Sequence, residues 1–195
     1  YFITGTDTDC GKTLVTEALL LQAASQGLHT VGLKPVAAGA DVTAEGLRNN
    51  DALRLQQAAT EKLPYSQVNP VVYEAAIAPH IAAAITGKRP TIAALAGYVR
   101  GAMLQPADLR LIEGAGGWLT PLNEHEPLSA LPKLLELEVI LVVGMKLGCL
   151  NHALLAARAI RQDGLQLAAW VATQVDPAMA HVEENRQSLG RMLGA

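Results

Sequence analysis

The sequence predicts a three-layer α/β fold, a doubly wound and mostly parallel sheet flanked by helices. Apolar runs of strand length alternate with helical patterns along the chain. Two of those runs, Leu109 to Ile112 and Val139 to Val143, are almost continuously apolar, as strands covered on both faces of a parallel sheet are. The 195 residues are most simply one domain, 1–195, able to bury a substantial core, and no repeat or low-complexity linker marks a second.

Taken in order, Tyr1 to Thr4 reads as the first strand, followed by a helix from Leu14 to about Gln26 that Gly27 stops. His29 to Pro35 is the second strand. Asp51, an N-cap or first-turn acid, opens a helix running to about Lys62, with Pro64 just beyond. Helices over Pro79 to Thr86 and Thr91 to Leu104 follow, then a strand from Asp108 to Ile112 and a helix around Leu128 to Leu137. The strand Val139 to Gly144, a helix Asn151 to Gln162, a strand Gln166 to Thr173 and a final helix from about Ala178 to Leu193 complete the pattern.

Composition excludes several classes. Half the residues are hydrophobic and 17% charged, which describes a soluble, helix-rich globule rather than a disordered chain. A net charge of -3 leaves no basic footprint for nucleic acid. No window holds about 18 apolar residues without charge, so no membrane span is expected. Cys10 and Cys149 form neither a C-x-x-C pair nor a zinc-finger spacing, which favours a reduced cytoplasmic setting. There is no secretory leader, and the chain starts without Met inside its first strand, so incomplete termini are expected.

The chemistry begins with Y-F-I-T-G-T-D-T-D-C-G-K-T at Tyr1 to Thr13. A strand, a turn of small and polar residues and Gly-Lys-Thr opening a helix form a phosphate grip. Backbone N–H groups of the loop and first helical turn lack intrahelical partners and point at an anion, and the helix dipole adds to the attraction. Asp9, Cys10, Gly11, Lys12, Thr13 and Leu14 are the nucleotide-binding candidates. Lys12 would reach the terminal phosphates, and the Thr13 hydroxyl would ligate magnesium. The common pattern places four residues between its first glycine and Gly-Lys; here five separate Gly5 from Gly11, and Thr6 stands where the first glycine belongs.

Nucleotide-bound magnesium requires oxygen ligands. Glu113 directly follows the strand Leu109 to Ile112, and Gly114, Ala115 and Gly116 after it leave room for phosphate. Asp51 is the second acid, although capping alone accounts for an Asp there. Lys34 closes the second strand at the carboxyl end of the sheet, facing the crevice where such folds bind ligands. The segment Gly148 to His152 opens a helix that could hold a small carboxylate, or Asn151 could be only its cap. His80 and His152 have no partner at metal or triad spacing.

Together G-T-D-T-D-C-G-K-T, G-L-K-P-V-A-A-G, G-L-R-N-N-D-A-L, I-E-G-A-G-G-W-L-T-P-L and V-V-G-M-K-L-G-C-L-N-H closely resemble the dethiobiotin synthetase family, in order and spacing from the first residues to about residue 155. That resemblance implies a phosphate-loop NTPase-like fold with a variant Walker motif. It also implies ureido ring closure from 7,8-diaminononanoate, CO2 and ATP. Position by position, it implies Lys34 and Lys12 as catalytic groups and Thr13, Asp51 and Glu113 as Mg2+ ligands. Thr8 and Ala38 would lie on the substrate side. Cys149, Leu150 and Asn151 would bind the substrate carboxylate from the other subunit of a homodimer.

The chain departs from the family's pattern at three places. Ala38 replaces a common serine that touches substrate. Thr173 and Gln174 stand where the family usually has Asn-Asp, whose amide reads adenine, which leaves base selectivity open. The chain also stops at Ala195, before a final strand and loop that help enclose the base in relatives. Two other readings stay open at this point: a partitioning-type switch ATPase, which usually carries a second lysine early in its loop that Thr6 to Cys10 lacks, and an inactive nucleotide-binding relative.

Overall fold

The computed structural model describes residues 1–194. Its elements run β1 (Phe2–Gly5), α1 (Lys12–Ser25), β2 (Thr30–Leu33), β3 (Val36–Ala38), β4 (Asp41–Thr43), β5 (Gly46–Arg48), α2 (Asn50–Ala58), α3 (Tyr65–Val68) and β6 (Val71–Tyr73). Then come α4 (Pro79–Thr86), α5 (Ile92–Met103), β7 (Leu109–Gly117), α6 (Ala130–Leu134), β8 (Val139–Met145), α7 (Cys149–Gln162), β9 (Leu167–Gln174) and α8 (Val182–Leu193). Five strands form one sheet in the order β2-β7-β1-β8-β9, every neighbouring pair parallel.

Alternate residues of the central strands enter two separate cores. Phe2, Ile112, Leu141 and Val143 pack on one face with α5 and α7 side chains such as Leu95, Val99, Ala153 and Ile160. Ile3, Leu111, Ile140 and Val142 pack on the other with Val15 and Leu20 of α1 and Leu55 of α2. Period-two alternation therefore puts apolar groups on both faces, which is why these strands read as unbroken hydrophobic runs. The parallel arrangement brings the carboxyl ends of β1, β2, β7 and β8 to one edge, where the polar segments lie.

Several boundaries differ from the sequence reading. The second strand ends at Leu33 rather than Pro35, because proline offers no N–H for the ladder; the chain turns away there and β3 pairs with β6 instead. Helix α2 stops at Ala58, not Lys62: Thr60 donates its N–H to Thr30 Oγ1 (3.0 Å) and its hydroxyl accepts from Thr30 N–H (2.7 Å), fastening the segment to β2. The helix expected over Leu128 to Leu137 shrinks to α6, as the Leu128 N–H is taken by the Thr120 carbonyl and Glu136 adopts φ 53°. Helix α8 starts at Val182 rather than Ala178, since Asp176 caps a local turn at the Ala178 N–H and His181 has φ 56°. Strands β3 to β6 are three residues each, too short for periodicity to show.

Candidate active site

The loop between β1 and α1 ends on Gly11, at φ 91°, a left-handed conformation that L side chains rarely adopt. A Cβ there would come within 3.0 Å of the Thr173 side chain, so the position also demands glycine for space. The Thr173 hydroxyl donates to the Cys10 carbonyl from the end of β9, bracing the loop from below. Lys12 and Thr13 begin α1 and are both buried. The Lys12 ammonium donates to the Asp7 carbonyl at 2.9 Å, folding back over its own loop.

Beside that loop, four residues from four parts of the chain meet. Glu113 lies within β7, its side chain fully buried. Its Oε1 accepts from the Thr13 hydroxyl at 2.8 Å and from the Lys34 ammonium at 2.6 Å. Lys34 also pairs with Asp51 Oδ2 at 3.2 Å; its side chain is 6% exposed and that of Asp51 41%. Asp51 is placed by Asn49, the N-cap of α2, whose Oδ1 accepts from the Ala52 N–H while its amide donates to the Gly39 carbonyl. The Asn69 amide donates to the Lys34 carbonyl at 2.6 Å and holds that backbone in turn.

The electrostatics follow from burial. Removal from water, the largest influence on Lys34, acts to lower its pKa, but the charges of Glu113 and Asp51 and their hydrogen bonds outweigh it and raise the pKa above 10.5. The ammonium thus stays charged. Glu113 Oε2 is buried without a hydrogen-bond partner, whereas buried polar atoms are nearly always satisfied. Glu113, the Thr13 hydroxyl bonded to it and the half-exposed Asp51 that shares its lysine offer an all-oxygen donor set of the kind a hard divalent cation takes.

Comparison with known proteins now decides among the readings. Residues 1–195 match the AAA domain family. A ParA family ATPase from Chlorobium tepidum shares the fold at 10% identity with a TM-score of 0.54, over 99% of this chain and 79% of its own. The kinase domain of the Escherichia coli tyrosine kinase ETK does so at 14% and 0.50, over 92% and 68%. At such identities only the fold is common. An ATP-dependent dethiobiotin synthetase BioD from Cellvibrio japonicus is 56% identical over 195 residues, all of this chain and 85% of that protein. The BioD of Marinobacter nauticus is 52% identical across all of this chain and 84% of its own.

The chain belongs to the dethiobiotin synthetase family.

For a synthetase of this family, the structure brings Thr13, Lys34, Asp51 and Glu113 into one cluster beside the loop, with Lys12 preceding Thr13 on α1. It revises the setting of the glycines after Glu113. Strand β7 does not end at Ile112 but runs on to Gly117, with its register against β1 shifted between Ile3 and Gly5. Gly114 is buried, and a Cβ on it would strike the Phe2 ring, so packing against β1 requires that glycine. Ala115 and Gly116 are strand residues also.

The side chains of the remaining predicted positions take no part in these contacts. Thr8, Asp9, Leu14 and Gln174 are exposed, and Ala38 ends β3 half-buried. Cys149 is buried in the first turn of α7; Leu150 is half-buried and Asn151 exposed. Gly148, not Asn151, is the N-cap of α7. Both cysteines are free and buried. Two residues absent from the predicted site are Asp7 and Lys146, whose Oδ2 and Nζ lie 2.9 Å apart, tying the phosphate loop to the end of β8. A charged side chain directly after a wholly buried strand was the signal for Lys146.

Proposed function

We propose that this chain performs ATP-dependent ureido ring closure, converting 7,8-diaminononanoate and CO2 to dethiobiotin with release of ADP and phosphate. The observation that carries the reading is the meeting of Thr13, Lys34, Asp51 and Glu113 around the phosphate loop, in a chain more than half identical to ATP-dependent dethiobiotin synthetases. One neutral substrate amine adds to CO2 and loses a proton, giving a carbamate. A carbamate oxygen takes the γ-phosphoryl group as ADP leaves. The second amine then attacks the carbonyl carbon of the mixed anhydride and expels phosphate. No enzyme nucleophile is needed, so catalysis rests on holding the reactants together and on stabilising charge.

Each residue takes a role that its position permits. Backbone N–H groups from Asp9 to Leu14 cradle the phosphates, and Lys12 swings from the Asp7 carbonyl to the terminal phosphates. Lys34, kept charged by its neighbours, neutralises the carbamate and the transferring phosphoryl group. Thr13, Asp51 and Glu113 would hold Mg2+, which neutralises charge on the β- and γ-phosphates.

Thr8 and Ala38 lie on the substrate side. The turn Cys149, Leu150 and Asn151 serves the substrate carboxylate in a second copy of the chain, making the working unit a homodimer in the cytoplasm. Exposed Leu119 and Leu155 beside the crevice at Gly5, Thr6 and Asp7, and Leu147 just ahead of α7, favour such pairing. Among the described residues no helix is long and apolar enough to cross a membrane.

Incubation with diaminononanoate, bicarbonate and Mg-ATP should yield dethiobiotin by mass spectrometry, together with stoichiometric ADP. ATP binding without product above a no-enzyme control would favour the inactive relative instead.

A further inference from the structure

We propose that in the nucleotide-free protein the Lys34 ammonium occupies the place of the divalent cation, so that metal and ammonium exclude one another at Glu113 and metal enters only with nucleotide. The inference rests on the assignment of Thr13, Asp51 and Glu113 as the metal's protein ligands. Lys34 Nζ touches both carboxylates of that set, 2.6 Å from Glu113 Oε1 and 3.2 Å from Asp51 Oδ2. The third ligand, Thr13, spends its hydroxyl proton on the same Oε1 at 2.8 Å. One ammonium therefore already holds both carboxylates that a cation would gather.

The crowding is physical. A magnesium ion sits about 2.0–2.1 Å from its oxygens, so a cation on Glu113 Oε1 or Asp51 Oδ2 would crowd an ammonium held at its present place. Two positive charges that close in a buried site repel strongly, because the low effective dielectric screens them poorly. Glu113 is fully buried, and its Oε1 already serves both Lys34 and Thr13. Its unpartnered Oε2 offers a first foothold, but a full shell needs the ammonium to leave.

A triphosphate supplies what the protein groups alone lack. It brings negative charge that draws the ammonium off Glu113, and it brings oxygen ligands that complete the metal's shell. Arrival of metal and nucleotide together would thus move Lys34 from its resting pair onto the phosphoryl group that it is to stabilise. Metal alone would have to evict the lysine without that help.

Mn2+ binding to the full chain, followed by electron paramagnetic resonance without nucleotide, tests this. Lys34→Met should bind Mn2+ about 10- to 100-fold more tightly than the unaltered protein, and the gap should narrow when ATP is present. The double variant Lys34→Met with Glu113→Gln should lose the gain. Equal nucleotide-free affinity of the unaltered protein and Lys34→Met, or a gain that survives Glu113→Gln, would overturn the proposal.

Because Lys34→Met leaves buried Glu113 uncompensated, the unaltered protein provides an independent reading. The side-chain 15N signal of Lys34 should hold its position with Mg2+ alone and shift with Mg2+ plus a non-hydrolysable ATP analogue. A shift with Mg2+ alone would sink the exclusion. A protein that takes up no Mn2+ even with ATP would remove the metal assignment itself, a result distinct from the others.

Discussion

Lys34 is the residue on which most of the site depends. Replacing it with alanine leaves Glu113 buried beside an empty space, and breaking a buried pair in this way costs roughly 3–5 kcal/mol. Lys34→Ala should therefore melt earlier and lose turnover, while nucleotide still binds through the loop. Calorimetry and a product assay in parallel check this, and normal turnover would take Lys34 out of the mechanism.

Asp7 and Lys146 are the second sensitive pair. The Lys146 hydrogen bond holds the Asp7 carboxyl below its ordinary 3.8, so the contribution is present above that value and is lost as pH falls through the lower folded value. Both side chains are partly exposed, so solvent screening keeps the effect small. The melting difference between the unaltered protein and Lys146→Met should be present at neutral pH and vanish in acid; a difference that grows on acidification would reverse the assignment. At this scale Lys12, Thr13 and Lys34 were legible because their neighbours in sequence make the pattern. The pairing of Asp7 with Lys146 was not, since its partners lie 139 positions apart.

At the scale of elements, the two helix starts are the vulnerable parts. Gly11→Ala would force a side chain into φ 91° and against Thr173. That conformation alone costs about 1–2 kcal/mol. Distortion of the loop N–H groups should weaken ATP by tenfold or about that, measured by calorimetric titration; unchanged affinity would show that the loop tolerates the shift.

At α2, Asn49→Ala removes both the cap and the tie to Gly39, so a loss of about 1–2 kcal/mol is expected. Asp51 moves with its helix, so the concentration of Mg2+ needed for half-maximal turnover should rise. A variant destabilised but unchanged in Mg2+ dependence would separate Asp51 from metal binding. Helix α1 and strand β8 were readable because long periodic runs leave one solution. The end of β7 was not: Glu113 to Gly117 reads as a glycine loop locally, yet pairing with β1 extends the strand through it.

Across the whole molecule, several large apolar side chains are exposed, three leucines near the phosphate loop among them. Leu147 is 95% exposed between β8 and α7, and Leu119 and Leu155 flank the crevice near Asp7. If this face joins two copies, Leu147→Glu should halve the mass in light scattering and lower activity with little change in ATP binding; a dimer that persists places the interface elsewhere. The sequence by itself determined the alternation of strands and helices, the phosphate loop and the identity of the charged groups at strand ends. All of these are local: spacing, apolar periodicity and the residue types that a turn or a phosphate demands. Only the tertiary structure decided which groups meet. The parallel sheet sets β7 between β1 and β2, so Glu113 arrives between Thr13 and Lys34, and α2 lays Asp51 over the same lysine. Such contacts depend on strand order and on burial that strips away water, and neither is written in any single stretch of the chain.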